Sequence, residues 1–83
     1  MITPDELFAK EQKVLEILKS KGGFKKEEGR ALHLEIGEEN AVDSYSSHGV
    51  EMVVIKQKVN SQPEDIADYF IRQAEEHGFR LAA

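Results

Sequence analysis

The alternation of apolar and polar residues divides the chain into five segments. In the first, apolar residues recur three, four and seven positions apart, which is typical of an amphipathic helix. This stripe consists of Leu7, Phe8, Val14, Leu15 and Leu18. Thr3 and Glu6 form a capping box around Pro4, and Gly22-Gly23 is a stop signal. The pattern therefore predicts a helix from Pro4 to about Lys21.

A second helix is predicted in the C-terminal part of the chain. Ser61 and Glu64 have the spacing of another capping box, and His77-Gly78 is typical of a helix end. Phe79 is placed to pack back onto Ala74, as the residue after a terminal glycine often does. The apolar stripe of this helix is Ile66, Ala67, Phe70, Ile71 and Ala74.

Between the helices the period changes toward two, which is typical of β-strands. We predict strands at Arg30 to Ile36, Ala41 to Tyr45 and Val50 to Val59, joined as an antiparallel sheet. Phe24 to Lys26 and Phe79 to Ala82 could each add a short edge strand. The expected fold is a single α+β domain over residues 1–83, with order α-β-β-β-α and both helices on one face of the sheet.

The facing of the last strand is ambiguous because it is apolar at consecutive positions. One assignment turns Leu32, Leu34, Ile36, Val42, Val50, Met52 and Val54 toward the helices. It leaves His33, Glu35, Asp43, Tyr45 and Glu51 on the opposite face. Val53, Ile55 and Val59 then have the wrong parity. Either a bulge switches the strand, or a helix, the C-terminal tail or another subunit covers its second face.

Charge is distributed unevenly along the chain. The sequence has 16 acidic and 11 basic residues, a net charge of -5, and no Lys or Arg lies between Ala31 and Ile55. That segment carries Glu35, Glu38, Glu39, Asp43 and Glu51. Such charge has to be solvated, met by a partner or neutralised by a cation.

Calcium suits the acidic segment because it takes six to eight oxygen ligands from carboxylates, amides and carbonyls. The sequence predicts a modest-affinity calcium site, with Glu51 as outer charge. Its candidate ligands are Glu35, Glu38, Glu39, Asn40 and Asp43. The alternative is a protein-interaction or scaffold module whose acidic face meets a basic partner. Glu64, Asp65 and Asp68 are better explained as first-turn charges that complement the helix dipole.

No residue pattern predicts catalysis, so a non-enzymatic protein is expected. Cysteine is absent, and the three histidines lack the spacing of a zinc site. Ser46, His48 and Asp43 are contiguous loop residues, which rarely reach the geometry of a catalytic triad. The acidic balance disfavours nucleic acid. One basic stretch could still touch single-stranded RNA through Lys19, Lys21, Lys25, Lys26 and Arg30 around the aromatic Phe24.

The N-terminus lacks the features of a secretory signal, and the longest strongly apolar run, Met52 to Ile55, is too short to span a bilayer. A cytoplasmic, monomeric protein is expected. High Lys and Glu content without Cys is typical of thermophiles. In element order and composition the chain resembles small uncharacterised proteins of methanogenic archaea. This resemblance implies a cytosolic α+β domain and assigns no residue a role.

Overall fold

The computed structural model describes residues 2–82, which form two helices and a three-stranded sheet. In chain order these are α1 (Pro4–Ser20), β1 (Arg30–Gly37), β2 (Ala41–Ser47), β3 (Val50–Lys58) and α2 (Pro63–Glu76). The predicted α+β class and the order α-β-β-β-α are confirmed. In this described part of the chain, neither helix combines the length and apolar character needed to cross a membrane.

Local signals set most of the helix ends. The Thr3 hydroxyl accepts a hydrogen bond from the Glu6 N–H at 3.2 Å, as the capping box predicts. At the end of α2 the Phe79 N–H donates to the Ala74 carbonyl at 3.0 Å, and Phe79 is buried. The predicted Ser61 cap is wrong. The helix begins at Pro63, so its N-cap residue is Gln62, and the Gln62 side chain makes no capping hydrogen bond. Ser61 lies one residue before the N-cap position.

The sheet has the order β1-β3-β2, and this corrects the expectation of a purely antiparallel sheet. The β2–β3 pair is antiparallel as predicted, whereas β1 runs parallel to β3. A strand in the middle of a sheet has both backbone edges paired and its side chains flanked by those of two neighbours, so a strongly apolar strand suits the central position. β3 is that strand, so it separates the two strands that precede it.

The connection from β1 to β2 therefore crosses the end of β3. Only residues 38–40 make this crossing. The Val59 N–H donates to the Gly37 carbonyl at 2.8 Å, and the Lys58 N–H donates to Asn40 Oδ1 at 2.9 Å. These two bonds fasten the crossing loop to the chain that leaves β3.

The core shows which face of β3 meets the helices. Val53 and Ile55 are almost fully buried and pack with the helical residues Val14, Leu18, Ile66, Ala67, Phe70 and Ala74. The prediction that Val50, Met52 and Val54 face the helices is therefore wrong by one residue. No bulge is needed, because the register is continuous along β3. Leu32, Leu34, Ile36 and Val42 do face the helices, as predicted.

The two predicted edge segments do not extend the sheet. They pair with each other through one antiparallel bridge between Phe24 and Leu81. The Lys25 N–H donates to the Arg80 carbonyl at 2.8 Å, and the Ala82 N–H donates to the Gly23 carbonyl at 2.9 Å. This contact ties the segment after α1 to the segment after α2.

Candidate functional site

The sheet face turned away from the helices, called the open face below, carries most of the predicted site. Side chains alternate along each strand, so the register assigns its members. They are Ala31, His33, Glu35, Ala41, Asp43, Tyr45, Ser47, Val50, Met52, Val54, Lys56 and Lys58. The helices occupy the other side, and no element of residues 2–82 forms a layer over this one.

One end of the open face is a charged cluster centred on Lys56. The Lys56 Nζ lies 2.9 Å from Asp43 Oδ2, 3.7 Å from Glu39 Oε1 and 3.9 Å from Glu35 Oε2. The hydrogen bond that the Lys56 ammonium donates to Asp43 and the negative charge of Asp43 raise the pKa of Lys56 above the ordinary lysine value, and Glu35 and Glu39 add to the effect. One ammonium thus faces three carboxylates, which leaves an excess of negative charge.

The predicted calcium ligands are brought together only in part. Glu35, Glu38 and Glu39 line a shallow depression beside Lys56, and Asp43 approaches the same ammonium. Asn40 instead uses its side-chain oxygen to hold the Lys58 N–H. Among residues 2–82, no three His, Cys, Asp or Glu side chains are arranged as a metal site. Calcium binding stays a prediction.

Glu51 does not belong to this cluster, which corrects its expected place on the outer face. It lies on the helix side, where its Oε1 accepts a 2.7 Å hydrogen bond from Arg30 Nε. Arg30 also donates to Glu27 and to the His77 carbonyl, and its guanidinium stacks 4.3 Å from the centre of the Phe79 ring. The hydrogen bond with Glu51 is the largest cause of the raised pKa of Arg30. This network fastens the end of α2 to the sheet.

The other end of the open face is apolar. Val50, Met52 and Val54 are its side chains on the central strand; Val50 and Met52 are partly exposed, whereas Val54 is buried. Ala31 and Tyr45 lie directly across from Met52 on the two neighbouring strands. Tyr45 is 52% exposed, so a large aromatic surface faces solvent there. The open face therefore combines an apolar row with an acidic cluster.

The remaining chemical candidates serve local structure. His48 and Gly49 both have positive φ, at 52° and 79°, and form the two-residue turn between β2 and β3. The His77 Nδ1 lies 2.8 Å from the Gln73 carbonyl at the helix end. Phe24 packs edge-on against Phe70 with the ring centres 5.8 Å apart, so the aromatic of the basic stretch is committed to the interior.

Sequence reasoning missed Lys56 because it stands one residue beyond the segment that lacks basic side chains. The position of Lys56 among the acidic residues follows only from the strand register, because Glu35 and Ala41 both pair with Lys56 across the sheet. Without the order β1-β3-β2, nothing places one lysine between two acidic strands. Comparison of the chain with protein-family models, with curated proteins and with solved structures gave no match.

Proposed function

We propose that this chain is a non-enzymatic protein-interaction module whose working surface is the open face. The observation that supports it is the outward placement of Val50 and Met52 on the central strand, both partly exposed, beside the exposed ring of Tyr45. A sheet that is covered on one side normally places polar residues on the other, and a contiguous exposed apolar row marks an interaction surface. Here Tyr45 widens that row, and aromatic residues are enriched in protein interfaces.

The partner element that fits this surface is an amphipathic helix with basic residues beside its apolar stripe. A helix laid on the open face would complete a third layer, which is a standard way to cover a sheet. Its apolar stripe would contact Met52 and Tyr45. Its basic side chains would meet the carboxylates of Glu35 and Asp43, which share the single ammonium of Lys56. Charge complementarity of this kind favours association and fixes orientation.

A titration with two model peptides tests the proposal. The first is an 18-residue amphipathic helix with Leu on one face and Lys on the other, and the second replaces every Lys with Glu. We expect the Lys peptide to give saturable amide shifts along β2 and β3 that weaken with added salt. The Glu peptide should give none, because like charges meet at the acidic cluster.

Two variants sharpen the result. Met52→Glu should abolish the shifts, because it places a charge in the centre of the apolar row. Phe8→Ser is the matched control, since Phe8 is 63% exposed and lies on α1, away from the open face. Equal shifts with both peptides, shifts confined to the helices, or Met52→Glu binding like the wild type would overturn the proposal.

A divalent-cation site in the same cluster is the second candidate. The observation that favours it is the approach of Glu35, Glu39 and Asp43 to one point within 4.0 Å. Since Lys56 already provides a cation at that point, calcium has to displace an ammonium. We expect weak calcium binding in the wild type and tighter binding in Lys56→Met.

A calcium titration of both proteins separates the candidates. Saturable shifts confined to residues 37–44, stronger in Lys56→Met, support the cation site. Small unsaturable shifts in both proteins eliminate it and leave the peptide-binding proposal unaffected. Thermal stability with calcium and with chelator gives a second readout, because a ligand of the native state raises stability as its concentration rises.

A further inference from the structure

The interior contains one polar group whose presence the fold does not explain. Gln57 is 3% exposed and follows Val53 and Ile55 along the helix side of β3. Its Oε1 is buried and accepts no hydrogen bond from residues 2–82. Burying an unpaired polar group destabilises the folded state. Such groups are uncommon in native proteins, and each calls for an explanation.

Gln57 lines an open pocket on the helix side of the sheet, separate from the open face. The pocket has a volume of about 730 Å³, within the range of small-molecule sites. Oxygen-bearing side chains line the same pocket, from the crossing loop (Asn40), the segment before α2 (Ser61) and the first turns of α2 (Asp65 and Asp68). Two of these oxygen carriers are carboxylates, so this end of the pocket suits a cationic hydrogen-bond donor.

The rest of the pocket has a different character. Tyr69, Ile71 and Leu81 contribute apolar surface, and Lys21 and Arg72 contribute positive charge. Arg72 follows Asp65 by seven residues on the same helix, a rise of about 10 Å. The structure records no ion pair for Asp65, Asp68 or Arg72 within residues 2–82. These charges are therefore available to a ligand.

We propose that this pocket binds a small molecule with a protonated primary amine at one end and an anionic group at the other. An ammonium has three donors and no acceptor, which matches a pocket lined by several oxygen-bearing side chains and by Gln57, whose buried Oε1 has no hydrogen-bond partner among residues 2–82. The buried amide accepts one of these donors after a rotation of its side chain toward the pocket, and Asp65 or Asp68 neutralises the charge. The chain of the ligand packs on the apolar wall, and its anionic end meets Arg72 or Lys21.

Three probes, each with six carbons, test the proposal by NMR titration: 6-aminohexanoate, 1,6-diaminohexane and hexanoate. We expect saturable amide shifts at Ser61, Asp65 and Tyr69 with 6-aminohexanoate and none with hexanoate. The diamine distinguishes the role of the anionic end. If the diamine binds more weakly than 6-aminohexanoate, the anionic end contacts Lys21 or Arg72. If the two bind equally, that contact is overturned and only the proposed contact of the amine end stands.

The decisive variant is Gln57→Met, which removes the amide while keeping the length of the side chain. A charge-assisted hydrogen bond is worth about 1.5–3 kcal/mol, so we expect the affinity for 6-aminohexanoate to fall roughly tenfold or more. Gln12→Met is the matched control, because Gln12 is exposed on α1 and does not line the pocket. Its affinity should equal that of the wild type.

Four outcomes overturn the proposal. They are hexanoate binding as tightly as 6-aminohexanoate, no saturable shift with either amine, unchanged affinity in Gln57→Met, and shifts that map only to the Lys56 cluster. None of them bears on whether the open face binds the model peptides, so the two proposals fail separately.

Discussion

Replacing Gln57 by Met is expected to stabilise the protein. Gln57 Oε1 is buried without a hydrogen-bond partner, so its removal recovers a desolvation penalty of about 1–3 kcal/mol. Met has nearly the same length, and volume-conserving changes in a core usually cost less than about 1.5 kcal/mol. We therefore expect a net gain of about 1–2 kcal/mol in the free energy of unfolding.

The gain should appear in both urea and thermal unfolding. For a domain of this size, 1 kcal/mol corresponds to a rise in Tm of about 4–8 °C, so Gln57→Met should raise Tm by roughly 4–16 °C. The urea midpoint should increase with an unchanged slope, because the surface exposed on unfolding is nearly the same. Gln12→Met makes the same chemical change at an exposed site and should stay within about 0.5 kcal/mol of the wild type.

A loss of stability in Gln57→Met would refute this reasoning. It would mean that Oε1 has a hydrogen-bond partner in solution, or that the surrounding side chains cannot accept a thioether. The expected pairing of a more stable protein with weaker amine binding is itself informative, because residues kept for function are often suboptimal for stability.

Four further substitutions, in three experiments, test the rest of the structure. Ile55→Ala should lower the free energy of unfolding by about 2–5 kcal/mol and Met52→Ala by less than about 1 kcal/mol, because of the two only Ile55 is fully buried among the helices. Equal losses of stability in urea unfolding would contradict the assignment of Ile55 to the helix side of β3. Lys56→Met should be less stable than the wild type near neutral pH. The folded state raises the pKa of Lys56, so its ion pairs contribute fully to the free energy of unfolding below the unfolded-state pKa of about 10.4. That contribution is lost as the pH rises through the higher pKa of the folded state. The difference in unfolding free energy should therefore shrink above about pH 10, and a constant difference up to the most alkaline pH at which the wild type stays folded would refute the ion pair. His48→Asn should stabilise by roughly 0.5–1 kcal/mol, because Asn adopts positive φ more readily in this two-residue turn; a lower Tm would argue against the turn geometry.

The helices and the position of the strands were predictable because their causes are local. The Thr3–Glu6 box, the glycines after each helix and the three- to four-residue spacing of apolar residues depend on neighbours within one or two turns. The alternation in β1 likewise placed Leu32 and Leu34 toward the helices. The cap of α2 was the local exception, since Ser61 has the capping-box spacing to Glu64 but the helix begins at Pro63 with Gln62 in front of it.

The order of the strands and the facing of β3 required the tertiary structure. β3 is apolar on both faces, so alternation could not choose between Ile55 and Met52 as the side chain packed against the helices. The choice came from central placement between β1 and β2, which depends on contacts between residues distant in sequence. That same placement decided the candidate sites, because it brought Lys56 among carboxylates of β1, the crossing loop and β2, and it buried Gln57 on the helix side of the sheet. The sequence by itself determined which segments are helix or strand and where the negative charge is concentrated. Only the packing of the sheet decided what that charge faces, because a one-residue change of parity moves every side chain to the opposite face.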